Sequence, residues 1–196
     1  MKRLFLPLLV VVCLSSCIGI ESQIGLNQDG SGTLRLDYRI SQFMREDRSL
    51  PLPVSREDFQ RAVDAAPGLK LLSLSQREDE NDVYISARLS FDKIESLNAL
   101  GVPDQIGLAY SVEGGKHVLR QQVYRGSQAE GISADSMKMI ETFFQGYELS
   151  YQISAPAPIQ SAAGGTLSAD KRSMSYKTAI PELLKQKDKV VLEITW

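Results

Sequence analysis

Hydrophobic and polar residues alternate along much of the chain, and a period of two is typical of β-strands that bury one face. The clearest case is the segment 33–40, where every second residue is apolar and Arg or Asp residues lie between. The same pattern recurs in the segments 18–26, 83–91, 106–112, 147–153 and 190–196, and a more polar strand is predicted around 117–124. Strands with one polar face are typical of antiparallel sheets covered on one side.

Two short polar segments are predicted to be hairpin turns. The segment Asn27–Gly32 contains Asp-Gly between two alternating runs, which is a strong hairpin signal. A calcium-binding loop is disfavoured, because the segment lacks the spaced acidic ligands and the closing Glu of an EF-hand. A phosphate-binding loop is disfavoured as well, because no Gly-Lys-Ser/Thr sequence follows. The acidic segment Arg77–Asp82 is interpreted as a solvated hairpin tip, with weak cation binding as the alternative.

Three segments have helical spacing instead of strand spacing. A first helix is predicted directly after Ser55, which can cap it. Asp92 and Glu95 have the spacing of a capping box and predict a second helix. Ser133 precedes a third helix, and residues 181–184 are predicted to add one short turn.

The order of these elements predicts an α+β fold: a mostly antiparallel, curved sheet or sheets, with about three helices packed on one side. The segments 42–53 and 155–165 contain mixed charges or many Pro, Ala and Gly residues, and both are predicted to be loops. Neither segment is long enough to separate two domains. Residues 17–196 are therefore expected to form a single domain.

The N-terminus has the features of a secretory signal peptide over residues 1–16. A positively charged start precedes the apolar run Leu4–Leu14, which is too short to span a bilayer, and small residues follow. The sequence Leu14-Ser15-Ser16-Cys17 resembles the lipobox of bacterial lipoproteins, and this resemblance implies diacylglyceryl transfer to the Cys17 thiol before cleavage. The alternative is an uncleaved N-terminal anchor or a signal cut elsewhere, with Cys17 as a chance thiol.

The cysteine pattern favours lipidation. The only other cysteine, Cys13, lies inside the signal segment, so the exported domain would carry no thiol except the acylated one. Two or three acyl chains, palmitate among them, hold a protein to a bilayer far more firmly than a single chain does. We therefore expect a lipid anchor at Cys17, no second membrane segment, and a periplasmic or surface-facing domain on the cell membrane or outer membrane.

Candidate catalytic chemistry is sparse in this sequence. The only histidine, His117, lies in a predicted strand. A lone histidine in a strand is more often a solvated or hydrogen-bonded side chain than a catalytic base. No Gly-x-Ser-x-Gly element is present, and an enzyme built on carboxylates stays open as a third alternative because acidic residues are plentiful. The net charge of −2 comes without any Lys/Arg-rich run, so nucleic acid is not an expected partner. Neither a metal nor a cofactor is expected.

Aromatic residues are the remaining candidates for ligand contacts. Seven tyrosines are spread over the predicted strands, and Phe143 and Phe144 are adjacent on the third helix. Neighbouring helical residues do not face the same way, so one phenylalanine is expected to face a second surface. Phe143, Phe144 and Tyr151 are the candidate ligand-binding residues if the sheet encloses an apolar pocket, and the alternative is that they belong to an ordinary core.

Several features occur in an order that points to a family. A lipobox cysteine is followed by an Asn-x-Asp-Gly-Ser-Gly hairpin and a strand that begins Thr-Leu. Toward the other end come the segments 149–153, 165–168 and 175–176, the Leu183-Leu184 turn and the strand 190–196. This order resembles the LppM-like domain of bacterial lipoproteins, a family largely without assigned function, although the middle of the chain matches only in general layout.

The resemblance implies an envelope-associated α+β domain, and it supplies no catalytic residues. Some relatives are linked to envelope glycolipids, which implies binding of lipid-like molecules. Many relatives also carry a C-terminal membrane helix, which this sequence lacks. We therefore expect a non-enzymatic, membrane-anchored envelope lipoprotein that binds a lipid-like or amphipathic envelope molecule, such as a lipid or glycolipid. The alternative is a structural or interaction protein in an envelope assembly, which would recognise a protein partner through an exposed strand edge.

Overall fold

The computed structural model describes residues 18–42, 52–101, 107–126 and 133–196. The predicted signal peptide 1–16 and Cys17 lie outside these ranges. Within them the strands are β1 Ile18–Leu26, β2 Gly32–Ser41, β3 Leu69–Glu78, β4 Asp82–Phe91, β5 Gly107–Glu113, β6 Lys116–Tyr124, β7 Glu148–Ser154, β8 Ser161–Ala163, β9 Thr166–Leu167, β10 Ser173–Ala179 and β11 Val190–Thr195. The helices are α1 Arg56–Ala65, a 3-10 helix Ile94–Leu100, α2 Ala134–Phe143 and α3 Ile180–Leu184.

The described strands form two sheets. Sheet A has seven strands in the order β3-β4-β2-β1-β7-β10-β9, and sheet B has four in the order β5-β6-β11-β8. Every neighbouring pair is antiparallel except β1 and β7, which run parallel. The predicted α+β fold with mostly antiparallel sheets is therefore confirmed.

The core lies between sheet A and sheet B. On β2 every second residue from Gly32 to Ile40 is buried, as the alternation predicts. From the other side, Leu119 on β6 and Ile194 on β11 are fully buried in the same apolar cluster. Removal of this apolar surface from water, at about 25 cal/mol per Å², is the main term that holds the two sheets together.

Both polar segments that the sequence predicts as turns are hairpin turns in the structure. Between β1 and β2, the Asp29 carboxylate accepts hydrogen bonds from the amide and the hydroxyl of Ser31, and Gly30 has φ +83°. The hydrogen bonds from Ser31 lower the pKa of Asp29. Between β3 and β4, the Asp79 carboxylate accepts from two backbone amides of its own turn. The two aspartate side chains therefore stabilise their own turns by hydrogen bonding.

Helix α1 begins with a complete capping box. The Ser55 hydroxyl accepts from the Asp58 amide at 3.1 Å, and the Asp58 carboxylate accepts from the Ser55 amide at 3.0 Å. Burial alone would raise the pKa of Asp58, but the hydrogen bonds from Ser55 and neighbouring amides outweigh it and lower the pKa. The buried face of the helix consists of Phe59 and Ala62. Ser55 therefore caps the first helix, as predicted.

The second helix differs from the prediction. It is a 3-10 helix whose N-cap is Lys93, and no side chain caps it, so the capping box predicted from Asp92 and Glu95 is wrong. Its buried residues recur at intervals of three, at Ile94, Leu97 and Leu100. Three residues per turn place these side chains on one face, which explains why the tighter helix fits this sequence.

Helix α2 packs less closely on the domain than the predicted layer of helices implies. It begins after Ser133, whose hydroxyl accepts from the Ser136 amide, as the predicted cap requires. None of its described side chains is buried, however. The apolar spacing of this segment correctly predicts a helix, and its predicted stripe of Met137, Ile140 and Phe144 is half-buried, so α2 is only partly covered.

Two strand predictions also need correction. The predicted loop 155–165 contains the short strand β8, which pairs with β11, and the buried Ile159. Val112, which the alternation places on an inward face, is 58% exposed because it lies beside the β5–β6 turn. Ile106 and the predicted loop residues 43–51 lie outside the described ranges.

None of the helices in the described part is both long and apolar enough to cross a membrane.

Candidate functional site

The candidate site is a small cavity between the two sheets, which we call the inter-sheet cavity. Its volume is about 100 Å³. Leucine and isoleucine side chains from β1, β2, the 3-10 helix and β5 form most of its wall. Leu52 and Gly101, where the described range 52–101 begins and ends, also border it.

Two polar residues are buried in the described part of the chain, Ser22 and Gln121, and both line this cavity. Ser22 on β1 lies beside Tyr151 in the parallel pairing with β7. Gln121 on β6 lies between Leu108 on β5 and Leu192 on β11. The two polar side chains therefore enter an apolar cavity from opposite sheets.

The side-chain carbonyl of Gln121 is buried without a hydrogen bond. Its Oε1 atom has no partner within the described residues, and the residue is only 2% exposed. A buried acceptor that lacks a partner costs about 1–3 kcal/mol, and most buried polar atoms in folded proteins are satisfied by protein or water. The oxygen can therefore accept a hydrogen bond from a donor that enters the cavity.

Tyr151 is the predicted site residue that the structure places at this cavity. Its side chain is buried, and burial raises the pKa of its hydroxyl to about 12. At neutral pH the hydroxyl keeps its proton and can donate a hydrogen bond. Together with the Ser22 hydroxyl and the Gln121 carbonyl, it gives the cavity both donors and an acceptor.

The other predicted ligand-binding residues lie elsewhere. Phe143 is 68% exposed on α2. Phe144 is half-buried, and its ring lies nearly perpendicular to the Tyr147 ring at a centroid distance of 5.9 Å. The two phenylalanines face different surfaces, as their spacing predicts, but neither lines the cavity with Tyr151.

Sequence reasoning missed Gln121, although the chain contains a signal for it. On β6 the inward residues have odd numbers, and Leu119 and Val123 on either side of Gln121 are buried. A polar residue at an inward position between two apolar ones is the signal. Ser22 holds the equivalent position on β1. Only the pairing of the two sheets shows that both positions meet in one cavity.

Charged groups collect on the outer face of sheet A. The Tyr147 hydroxyl donates to the Asp82 carboxylate at 2.9 Å, and the Arg39 guanidinium lies 4.1 Å from the Tyr147 ring centroid. Burial, followed by the hydrogen bond to Asp82, raises the pKa of Tyr147 to about 12. Within the described ranges no Asp or Glu is buried, and no group of His, Cys, Asp and Glu could hold a metal ion.

His117 has an aromatic environment. Its ring stacks on Trp196 at a centroid distance of 5.4 Å and on Tyr110 at 5.9 Å. The Tyr110 hydroxyl forms a hydrogen bond with the imidazole Nδ1. These contacts fit the interpretation that His117 is a strand residue whose imidazole is packed and hydrogen-bonded within the domain.

Solved structures include a similar fold. The folded domain of Mycobacterium tuberculosis LppM, determined by NMR, matches with a TM-score of 0.50 and 10% sequence identity, over 90% of this chain and 86% of the LppM domain. The fold is LppM-like. The order of sequence features predicts an LppM-like domain, and the structural match confirms this at the level of the fold. Comparisons with protein-family models and with curated proteins gave no match.

Proposed function

We propose that this protein is a non-enzymatic envelope lipoprotein that binds an amphipathic, lipid-like molecule in the inter-sheet cavity. In this proposal the signal peptide 1–16 is removed, Cys17 is acylated, and residues 17–196 form one domain on the cell membrane or outer membrane. The observation that carries the binding proposal is the Gln121 Oε1 acceptor, which lines a mostly apolar cavity and has no hydrogen-bond partner within the described residues.

The cavity lining defines what the ligand must offer. Its leucine and isoleucine walls favour hydrocarbon, and Gln121 favours an O–H or N–H donor. The hydroxyls of Tyr151 and Ser22 can donate to a ligand oxygen. Lipids and glycolipids combine these groups where the acyl chains meet the polar part. Because the volume is only about 100 Å³, a short segment of such a molecule enters the cavity and the rest lies outside it.

Native mass spectrometry of the full chain, extracted from bacterial membranes in mild detergent, tests ligand binding. We expect a lipid-sized adduct that is lost on denaturation. Ser22→Val should weaken the adduct, because it removes a hydroxyl from the cavity and narrows it, and Gln121→Leu should also weaken it. Gln122→Leu is the matched control, because Gln122 faces away from Gln121 on the same strand and does not line the cavity. A wild-type protein without any adduct would count against the binding proposal.

The anchor has a separate test. Cys17→Ser should abolish metabolic labelling with palmitate and leave an unprocessed precursor in the cell. Labelling that persists in this variant would refute acylation at Cys17. The apolar run Leu4–Leu14 and the lipobox-like sequence that ends at Cys17 support this part of the proposal.

A second candidate function is recognition of a protein partner through strand β3. This strand is an edge of sheet A, its ten residues are mostly exposed, and Leu72 is 59% exposed at an irregularity in its pairing with β4. Exposed edges can pair with another chain. A photo-crosslinker at Leu72 should then capture one envelope protein in stoichiometric yield, whereas a crosslinker at the equally exposed Val112 should not.

A further inference from the structure

Helix α2 presents an apolar face that the described part of the chain leaves open. Met139 is 60% exposed and Phe143 is 68% exposed, and they are two of the four large hydrophobic residues exposed in the described ranges. Residues four apart lie on the same face of a helix. Glu141 lies on the opposite face and forms an ion pair with Lys185 at 2.9 Å, which keeps Met139 and Phe143 turned outward.

The end of α2 lies where the chain enters sheet A. Soon after α2, Tyr147 leads into β7, which begins beside the parallel strand β1, with Ile18 opposite Glu148. The contact is close at Gly19: a Cβ atom there would lie 2.6 Å from the Glu148 carbonyl oxygen and 3.2 Å from the Tyr147 Cβ. The start of β1 and the C-terminal end of α2 are therefore neighbours.

We propose that Met139 and Phe143 insert into the membrane surface beside the lipid anchor and give the protein a second point of attachment. This inference rests on the proposed acylation of Cys17. Cys17 precedes Gly19 by two residues, so their Cα atoms are at most about 7 Å apart, since each residue spans at most ~3.6 Å. Acyl chains on Cys17 thus bring the bilayer surface to the end of α2.

The chemistry of the helix matches an interfacial position. Amphipathic helices that lie in the membrane plane bury an apolar face and keep their charged face in water. On α2, Met139 and Phe143 form the apolar part of the first face, with Asp135 on the same side in the first turn, and Glu141 belongs to the second face. A neighbouring protein would also cover apolar side chains, but the chain that leads from Cys17 to β1 ends beside this helix and favours the bilayer as the occupant.

The opposite end of the domain provides a matched control. A Cβ atom on Gly30, in the β1–β2 turn, would lie 3.8 Å from the Tyr110 ring, and Val112 follows two residues later on β5. From Gly19 to its last residue, Leu26, strand β1 advances seven residues, which is roughly 23 Å at ~3.3 Å per residue. Val112 is 58% exposed, so it resembles Met139 and Phe143 in exposure but lies far from Cys17.

Tryptophan fluorescence of the full, acylated chain tests the proposal. The variants Phe143→Trp and Met139→Trp, with Val112→Trp as control, are reconstituted into phosphatidylethanolamine–phosphatidylglycerol vesicles with or without bromine on the acyl chains. The natural Trp196 is buried and supplies a background measured in the wild type. We expect brominated lipid to cause a large loss of the added emission at positions 139 and 143, and no loss at position 112.

The outcomes separate this inference from the anchor. If mass spectrometry finds acylated Cys17 but bromine leaves the emission at positions 139 and 143 unchanged, the inference about α2 is overturned and the anchor stands. A blue shift without quenching would assign the face to a second copy or a protein partner and would also overturn it. If Cys17 is not acylated, the proposed anchor is refuted. Quenching of the tryptophan emission at positions 139 and 143, after the non-acylated protein is added to brominated vesicles, would then show that α2 binds membranes by itself, and absence of quenching would overturn the inference about α2.

Discussion

Gln121 lies at a position where the alternation of β6 places buried side chains, between Leu119 and Val123. In the empty domain its amide gives up hydration and gains no partner for Oε1 among the described residues. A bound molecule that donates to this oxygen would recover the lost hydrogen bond. In the proposed function, the same atom therefore destabilises the ligand-free domain and favours the ligand-bound one.

Replacing this residue tests that argument in the protein without ligand. We expect Gln121→Leu to raise the free energy of unfolding of delipidated protein by about 1–2 kcal/mol, because it removes an unpaired buried acceptor and adds apolar contact. Urea denaturation measures the change. Gln122→Leu should shift the same quantity by no more than about 0.5 kcal/mol, since Gln122 faces the other way. A destabilised Gln121→Leu variant would mean that Oε1 is already satisfied in the empty domain.

At the scale of elements, Tyr147 ties the end of α2 to the strands of sheet A. From the start of β7 its side chain passes β1, where Gly19 has no side chain, and reaches Asp82 on β4. Arg39 on β2 covers the ring and contacts the same carboxylate at 3.4 Å. Through side chains, this cluster therefore connects the start of β7 with β2 and β4 across the intervening strand β1.

Two Tyr→Phe substitutions separate the hydrogen bond from the ring. Tyr147→Phe should lower the free energy of unfolding by about 1.5–3 kcal/mol, the usual contribution of a hydrogen bond to a charged group. Tyr176→Phe should be neutral or slightly stabilising, because the buried Tyr176 hydroxyl has no partner within the described residues. Urea denaturation of both variants checks the difference, and equal effects would contradict it.

The pH dependence of the Tyr147 contribution follows from its pKa. The folded protein raises this pKa from 10.0 to about 12, so the hydroxyl binds its proton more tightly in the folded than in the unfolded state. The stabilisation is therefore complete below pH 10 and is lost as the pH rises from 10 through about 12. The difference between wild type and Tyr147→Phe should shrink over that window and stay constant between pH 7 and 9.

Strands were more predictable from the sequence than helices, and the reason is physical. A period of two follows directly from the pleat, so β2 and β11 match their predicted faces. The Asp92–Glu95 pattern suggested an α-helical cap, but buried residues at every third position select the 3-10 geometry. For α2 the spacing correctly predicted the helix. The spacing of apolar residues shows that a helix has an apolar face, but it does not show which part of the molecule packs on that face.

The candidate site was less predictable, because it depends on how two sheets meet. Tyr151 was identified from aromatic content alone, and burial places it at the cavity. Ser22 and Gln121 are nearly 100 positions apart in the chain and share no local pattern. Their meeting depends on the separate pairings of β1 within sheet A and β6 within sheet B, which single-strand patterns do not encode.

At the scale of the whole molecule, stability should be uneven. Strands β2 and β4 are paired on both sides in the middle of sheet A, whereas α2 has no buried side chain among its described residues. We expect α2 amides to exchange with deuterium at least about 100-fold faster than those of β2 and β4, because local opening needs less free energy where few contacts are buried. Exchange mass spectrometry in solution, repeated with vesicles, measures this, and the proposed docking should slow exchange in α2 and leave β5 unchanged.

The parallel pairing of β1 with β7 also constrains when the domain can fold. The first strand to be synthesised needs a neighbour that ends at Ser154, so the centre of sheet A stays incomplete until most of the chain exists. Contacts this distant in sequence form slowly, because a long loop must close first. A nascent chain of this design can pair β1, β2, β4 and β3 with one another early. It completes sheet A, and with it the core, only after β7 has been synthesised.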